Sequence, residues 1–272
     1  MKLIVIGAGI AGSSATRIAR AKGWDVTLID HAPEQAASRS ALATIRPTWF
    51  DKTERDDLER SGEWYTQWGA AGSREAYVSN WRNREVKKQK DWWLVDPITP
   101  LVKPDLTERV VGIYKSFVTT PTKEIAADAI LNCTGAYGAD LSRDVSLFAG
   151  VTWISRTAEL DYEPYRVHHL RPYKALSAAR INGVTRVGSS IAATADKAVD
   201  DAKEMLMTAI ALGIVKQGDW EMSLGWRAKG KGGIPIYPEL GQRNAYFSGL
   251  ARSGYGLSPA IAEKWLDSLA FA

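Results

Sequence analysis

Short apolar runs and glycine turns alternate along the chain in a pattern typical of an α/β protein. Residues 2–6 form an apolar run of the kind found in buried parallel strands, and 25–30 predict a second strand, with a helix between the two. The run 128–141 predicts another buried strand that ends in glycine turns. The pattern therefore predicts a parallel sheet that begins at the N-terminus.

The segments between these runs predict further helices and strands. The charged stretch 51–69 and the stretch 196–212 have helical spacing of their apolar residues, whereas 109–120 and 151–186 are strand-like. The C-terminal stretch predicts two strands followed by a helix. We expect Ser258 to cap that helix, with Pro259 at its first position.

The part of the chain that belongs to the parallel sheet is predicted to be discontinuous, because strands of its kind return near the C-terminus. We assign it the ranges 1–50, 121–150 and 225–272. The ranges 51–120 and 151–224 are then predicted to form a reduced, mixed β-sheet substrate domain inserted between them.

Three glycines between the first strand and the first helix form a dinucleotide fingerprint. Gly7, Gly9 and Gly12 have the GxGxxG spacing, which permits a tight turn, close approach of a pyrophosphate, and close packing of helix on strand. Asp30 ends the second strand, where a carboxylate accepts hydrogen bonds from a ribose 2′-hydroxyl and disfavours a 2′-phosphate. The fingerprint predicts a dinucleotide, NAD or FAD.

Composition narrows the class of protein. The chain has 272 residues, 45% of them hydrophobic, and a net charge of +4. It has no apolar run long enough for a membrane span, and its first apolar run is a strand of the nucleotide fold, so we expect a cytoplasmic protein without membrane partners. One cysteine and three histidines argue against disulfides and metal sites, and we expect Cys133 to be a packing residue.

A basic segment rich in tryptophan, 81–93, is the main charge feature. Basic and aromatic residues together can bind a phosphate backbone and stack on bases. The other interpretation is a solvated strand or helix whose tryptophans help to build the core. The nucleic-acid candidates are Trp81, Arg82, Arg84, Lys87, Lys88 and Trp92.

Five segments together resemble the FAD-dependent D-amino acid oxidase (DAO) superfamily, and within it the glycine oxidases. The segments are VIGAGIAGSSA with Asp30, ASRSALATIRPTW, ADAILNCTGAYGADL, GWRAKGKGGIPIYPELG and GLARSGYGLSPAIAEKWL. The resemblance implies a Rossmann-like FAD-binding domain of the GR2/DAO type. It implies FAD contacts at Gly7, Gly9, Ile10, Ala11, Gly12, Asp30, His31, Ser38, Arg39, Ser40, Thr134, Gly135, Gly254, Gly256, Leu257 and Ser258.

The resemblance also implies an activity. In this family an amine carbon gives a hydride to the flavin, the imine is hydrolysed, and O2 is converted to H2O2. Arg227 matches the family's substrate-carboxylate arginine, Arg252 lies in the last glycine-rich turn, and Tyr255 is expected at the substrate. Arg46, beside Pro47 in the loop expected at the flavin, is a further candidate for the active site.

The substrate is therefore predicted to be a glycine-type amine, either free or carried on a nucleic-acid base, in which case the reaction is a DNA modification. Two alternatives stay open. One is a flavin dehydrogenase that passes electrons from a free amino acid to a partner, and the other is a non-catalytic flavin- or nucleic-acid-binding protein.

Overall fold

The computed structural model describes residues 1–32, 36–80, 85–90, 92–137, 145–171, 174–188, 190–250 and 253–270. The helices in this part of the chain are α1 (Ile10–Ala21), α2 (Lys52–Gln67), α3 (Ala195–Ala211) and α4 (Gly254–Ala270). The strands are β1 (Lys2–Ile6), β2 (Asp25–Ile29), β3 (Thr44–Ile45), β4 (Glu75–Asn80), β5 (Lys87–Lys90), β6 (Trp93–Leu94), β7 (Gly112–Ile113), β8 (Phe117–Thr119), β9 (Glu124–Ala126), β10 (Ala129–Asn132), β11 (Val145–Ser155), β12 (Tyr165–Arg171), β13 (Lys174–Ile181), β14 (Val184–Gly188), β15 (Glu221–Gly230) and β16 (Asn244–Tyr246).

A four-stranded parallel sheet forms the first layer, in the order β16-β10-β1-β2. Its strands are short apolar runs because both faces are covered. One face carries Leu3, Val5 and Leu28, which pack with Ile18 of α1 and Trp265 of α4. The Rossmann-like parallel sheet predicted from the sequence is confirmed.

A seven-stranded mixed sheet forms the second layer, in the order β15-β11-β14-β13-β12-β4-β5. Only the β12–β4 pair in it is parallel. Helix α3 covers part of one face, where Leu206 packs on Leu176 and Val187. This is the mixed β-sheet predicted for the substrate domain.

The sheets divide the chain differently from the predicted ranges at three segments, which are 145–150, 225–230 and the strands β7 to β9. Residues 145–150 and 225–230 pair with each other in the seven-stranded sheet rather than joining the nucleotide-binding layer. The small sheet β7-β8-β9 lies against the other face of the parallel sheet, because Val118 packs among Ile4, Ile6 and Ile130.

Helix α4 begins five residues earlier than the sequence predicted. Ser258, expected as the N-cap, is fully buried inside the helix, and Pro259 is an interior residue. Proline has no N–H group, so the Tyr255 carbonyl loses its helical donor. Tyr65 of α2 supplies the missing donor, with its hydroxyl 2.7 Å from the Tyr255 oxygen. Helix α2 therefore completes the hydrogen bonding of α4.

Replacing Tyr65 with Phe should destabilise the fold by about 1–3 kcal/mol, because a buried carbonyl loses its donor. Adding Pro259→Ala should recover part of the loss, since alanine restores the helical N–H. Chemical unfolding of both variants measures this, with exposed Tyr114→Phe as control. Equal destabilisation with and without Pro259→Ala would contradict the assignment.

A second contact joins the same two helices. Glu263 of α4 accepts hydrogen bonds from Arg60 (2.6 Å) and from Trp64 Nε1 (3.1 Å) of α2. Burial opposes ionisation of Glu263, but these donors and the Arg60 charge outweigh it and lower the pKa of the carboxyl. The contact therefore stabilises the folded chain while Glu263 is ionised.

The pKa of Glu263 is lower in the folded chain than in the unfolded chain. The stabilisation by this contact is therefore present above the unfolded pKa, and it is lost as the pH falls through the folded pKa. Glu263→Gln should be less stable than the parent at pH 7, and the difference should shrink by pH 3. Unfolding curves at both pH values measure it. Glu59→Gln, in an exposed pair with Arg74, should change little at either pH.

Candidate functional site

A cavity of about 1450 Å³ lies between the two layers. On one side it is lined by Gly7, Asp30 and Thr134, which follow β1, β2 and β10 at the carboxyl ends of the parallel strands. On the other side it is lined by residues of the seven-stranded sheet, among them Tyr165 and Arg227. Open α/β sheets bind ligands at this end of their strands.

The glycine turn after β1 forms a cradle in which backbone segments touch. Gly7 has φ +100°, and a Cβ there would lie 2.5 Å from the Cys133 carbonyl oxygen. A Cβ on Gly12 would lie 1.9 Å from the Gly7 oxygen, so α1 packs closely on the turn. Gly9 lines the cavity, and a Cβ there would contact only Ser38 Oγ, at 3.4 Å. The steric room at the three glycines is consistent with the roles that the spacing predicts for them.

Asp30 is held in place beside this turn. Its Oδ2 accepts a hydrogen bond from the Ala8 N–H (2.6 Å), and its Oδ1 accepts one from the Ala32 N–H (3.0 Å). Each carboxylate oxygen keeps a further lone pair, and Asp30, like the neighbouring His31, lines the cavity. The carboxylate therefore suits a ribose hydroxyl, and the cradle fits a dinucleotide.

The N-terminus of α1 faces the same cavity. Ile10 and Ala11 line it, and the Ile10 N–H donates to Ser38 Oγ at 2.9 Å. The first N–H groups of a helix are unpaired within the helix and attract anions. Ser38 therefore lies at the helix end that suits a pyrophosphate, and its contact with the cofactor stays a prediction.

Two neighbours of Ser38 have a different role from the predicted one. Ser40 is buried away from the cavity, with its Oγ 2.7 Å from Ser223 Oγ and its carbonyl accepting from Thr152 Oγ1 at 2.6 Å. Arg39 is half-buried, and its carbonyl is 3.4 Å from an Arg186 nitrogen. Both tie the loop to the seven-stranded sheet, so the prediction that Ser40 contacts the cofactor is corrected.

The turn after β10 lies across the cradle from Gly7. Thr134 and Gly135 both line the cavity, and Thr134 Oγ1 donates to Asn132 Oδ1 at 2.7 Å. Cys133 is buried, which raises the pKa of its thiol well above the usual range. The thiol is an unreactive packing group, as predicted.

The C-terminal segment 254–258 contributes fewer residues to the cavity wall than predicted. Gly254, the first residue of α4, lines the cavity. Gly256, however, packs on Phe50, whose ring lies 2.6 Å from the position of a Cβ, and Leu257 and Ser258 are buried in the core. The start of the helix at Gly254 explains the correction, because Gly256, Leu257 and Ser258 then lie inside α4 and pack in the core.

Tyr255 is also a structural residue. Its buried hydroxyl lies within hydrogen-bond distance of the carbonyls of Ser38 (2.9 Å) and Pro97 (2.8 Å). Burial raises the pKa of Tyr255 well above its usual value, so it stays protonated. The ring lines the cavity, but the hydroxyl holds the loop at Ser38, which corrects the predicted role at the substrate. Arg252 lies outside the described residues.

Arg227 lines the cavity from β15. Its guanidinium group crosses the neighbouring strand at Gly150, where a Cβ would lie 2.9 Å from an Arg227 nitrogen and 3.0 Å from the Ser190 carbonyl oxygen. The absence of a side chain at Gly150 thus leaves room for the guanidinium. A guanidinium group in this position can bind a carboxylate in a fixed orientation.

Comparison with known proteins agrees with this geometry. Residues 2–89 match the family model described as DAO, FAD dependent oxidoreductase. The family match confirms the prediction that the cofactor is FAD. The search of the curated proteins gave no match.

Solved structures with this fold cover almost the whole chain. Glycine oxidase from Bacillus cereus ATCC 14579 is 13% identical, with a TM-score of 0.76 over 99% of this chain and 95% of that one. Iminodiacetate oxidase from Chelativorans sp. BNC1 is 17% identical, with a TM-score of 0.74 over 99% and 95%. L-proline dehydrogenase from P. horikoshii is 14% identical, with a TM-score of 0.75 over 99% and 93%. The chain thus has the DAO fold over almost its whole length.

Among the described residues of the basic segment 81–93, Trp92 departs from the surface predicted for it. Trp92 is 4% exposed and lines the cavity, so it cannot stack on bases outside. Lys87 and Lys88 are exposed on the edge strand β5 and pair with Glu85 (3.3 Å) and Glu75 (2.6 Å). Trp81, Arg82 and Arg84 lie outside the described residues. The core interpretation of the tryptophans is correct for Trp92.

Three further residues that line the cavity were not predicted from the sequence. Tyr165, His169 and Ser177 project into it from one face of the seven-stranded sheet. Alternation along a strand predicts which residues share a face, but not which face meets the cofactor layer. Among the described residues, no group of side chains could hold a metal ion, and no helix is long and apolar enough to cross a membrane.

Gly9 and Gly23 offer a direct test of the cradle. Gly9→Ala should fold but weaken FAD binding by roughly tenfold or more, since a methyl group at the pyrophosphate position costs about 1–3 kcal/mol. Gly23→Ala lies in a distant turn at φ +78° with open space around it. It should cost roughly 1–2 kcal/mol of stability and leave FAD binding unchanged. Flavin content, FAD titration and thermal melting separate the two effects, and unchanged FAD affinity in Gly9→Ala would contradict the assignment.

Proposed function

We propose that this protein oxidises the C–N bond of a glycine-type amine and uses O2 as the final electron acceptor. The observation that carries the proposal is the continuity of one cavity from the dinucleotide cradle at Gly7 and Asp30 to Arg227 on the seven-stranded sheet. A single space can therefore hold both FAD and a carboxylate-bearing substrate.

Bound FAD would supply the hydride acceptor for the carbon next to the amine. The task of the protein is to orient that carbon. Arg227 would bind the substrate carboxylate through two parallel hydrogen bonds, and a substrate held at one end in this way presents its Cα and amine in one orientation.

The N-terminus of helix α4 would favour the negative charge that the reaction creates. Helix α4 begins at Gly254 in the cavity wall, with the positive end of its dipole and its first N–H groups at that position. This helix end stabilises negative charge that develops nearby. Its position depends on Tyr65, which completes the helix around Pro259.

The overall reaction balances with water and oxygen as co-substrates. A substrate R–NH–CH2–COO⁻ loses a hydride and a proton to give an imine, and water cleaves the imine to R–NH2 and glyoxylate. O2 takes up the two electrons and is released as H2O2. No further acid–base group is required, because the hydrolysis of an imine proceeds in water.

The glycyl group carried on a nucleic-acid base is the larger form of this substrate. The cavity of about 1450 Å³ would hold FAD together with the substrate, and common ligand pockets measure roughly 300–1,000 Å³. Lys87 and Lys88, each paired with a glutamate, lie exposed on β5, a few residues before cavity-lining Trp92. The burial of Trp92 removes one of the stacking residues expected for this form.

An anaerobic titration that follows the visible absorbance of the flavin tests the proposal. Glycine, sarcosine and a glycyl group attached to thymidine in DNA are added in turn. We expect loss of absorbance with at least one of them, and H2O2 on readmission of air. Loss of absorbance without H2O2 would indicate a dehydrogenase with another acceptor, and no change with any glycyl compound would contradict amine oxidation.

Arg227→Gln should lower kcat/KM for the responsive substrate by roughly 100-fold, as expected for a lost charge-assisted pair, with flavin content unchanged. Lys229→Gln is the matched control, because Lys229 is an exposed cation on the same strand that does not line the cavity. Steady-state kinetics of the two variants measure the effect. Equal activity of Arg227→Gln and the parent would exclude Arg227 as the carboxylate ligand.

A further inference from the structure

We infer that the cavity contains a second anion-binding subsite, centred on Arg46, which takes a carboxylate or phosphate carried on the N-substituent of the substrate. The subsite consists of Arg46, Trp92 and Tyr165, with the hydroxyl groups of Thr44 and Ser177 beside them. The inference rests on the proposed function, since it names the class of glycine-type amine that the site accepts.

Arg46 has no acidic partner in the part of the chain that the structure describes. It is half-buried and lines the cavity, and among the described residues it forms no ion pair or hydrogen bond. Its guanidinium group lies over the Trp92 ring, 5.0 Å from the centroid. A positive charge that is partly removed from water favours a negatively charged ligand group at its open side.

The aromatic platform beneath Arg46 is held rigidly. Trp92 is 4% exposed, and its Nε1 donates to Gln89 Oε1 at 3.3 Å. Its ring meets the Tyr165 ring edge to face at 5.3 Å, and Tyr165 is itself buried. A guanidinium group stacked on a fixed indole keeps its N–H edges available in one plane.

Hydroxyl groups complete the polar part of this subsite. The Tyr165 hydroxyl lies 3.4 Å from Ser177 Oγ, and Ser177 and Thr44 line the same cavity. Hydroxyl groups donate hydrogen bonds to carboxylate and phosphate oxygens. The residues around Arg46 therefore supply both charge and donors for an anionic group.

The position of Arg46 separates it from the carboxylate site proposed at Arg227. The guanidinium group of Arg227 lies at Gly150 of β11, whereas Tyr165 beside Arg46 stands on β12, three strands away in the sheet order. Neighbouring strands lie about 4.8 Å apart, so β11 and β12 are separated by roughly 14 Å. A free glycine has one carboxylate and occupies one of these positions. Two cations at separate places on one face of the sheet instead suit a substrate with two anionic groups.

The test compares substrates that differ only in the second charge. N-(carboxyalkyl)glycines of increasing length are compared with N-alkylglycines of matching length, and glycyl-thymidine 5′-monophosphate with glycyl-thymidine. We expect the charged member of a pair to have the higher kcat/KM, with an optimum chain length. The carboxylate and phosphate series distinguish the two sources of the anion.

Arg46→Gln should lower kcat/KM for the doubly charged substrates by roughly 10- to 100-fold and change it less than about twofold for the singly charged ones. Arg46→Lys should recover part of the loss. Arg74→Gln is the matched control, because Arg74 also lies over a tryptophan ring (Trp93, 4.5 Å) but does not line the cavity. An equal loss on both substrate series would overturn the inference.

A binding measurement keeps the test independent of turnover. Dicarboxylates of increasing length and the corresponding monocarboxylates are titrated calorimetrically into the FAD-loaded protein and into its Arg46→Gln variant. Preference for dicarboxylates that disappears in Arg46→Gln supports the subsite, even if no glycyl compound is oxidised and the proposed function fails. Absence of any such preference in the parent protein would overturn the subsite, even if amines are oxidised.

Discussion

The structure depends on the contact between the backbone of Gly7 and the carbonyl of Cys133. Gly7 lies at φ +100° with no space for a side chain, since a Cβ would be 2.5 Å from that carbonyl oxygen. Strand β1 can therefore turn immediately beside β10 and direct the chain into α1. Close packing of Gly12 on Gly7 then fixes the helix, whose N-terminus and neighbouring Asp30 face one point. The whole dinucleotide cradle follows from this one steric constraint.

The loop at Ser38, beside this cradle, is positioned by a different set of contacts. Pro259 interrupts the hydrogen bonds of α4, and Tyr65 of α2 donates to the carbonyl left unpaired at Tyr255. The Tyr255 hydroxyl in turn reaches the Ser38 and Pro97 carbonyls. Helix α2, helix α4 and the loop at Ser38 thus form one hydrogen-bonded unit. A change in any of the three is transmitted to the part of the site where Ser38 meets α1.

The seven-stranded sheet gives the site its breadth. The guanidinium group of Arg227 lies at β11, three strand positions from the Arg46–Trp92–Tyr165 group at β12, so positive charge is placed at two ends of one face. A broad sheet face of this kind can accept a substrate that extends well beyond a glycine. The fold shared with glycine oxidase and iminodiacetate oxidase is therefore compatible with different amines, because the side chains on this face, and not the fold, select the substrate.

The sequence by itself determined the features that depend on local spacing. These are the glycine turn with Asp30, the parallel strands, the buried Cys133 and the DAO resemblance, because each requires only residues close together in the chain. Only the tertiary structure decided that Ser258 is an interior residue, that Trp92 lines the cavity and that Arg46 lies on its ring. Those outcomes depend on which strand face and which helix turn meet distant partners. Hydrophobic periodicity shows that a residue is buried, but the packing of the layers decides what it is buried against.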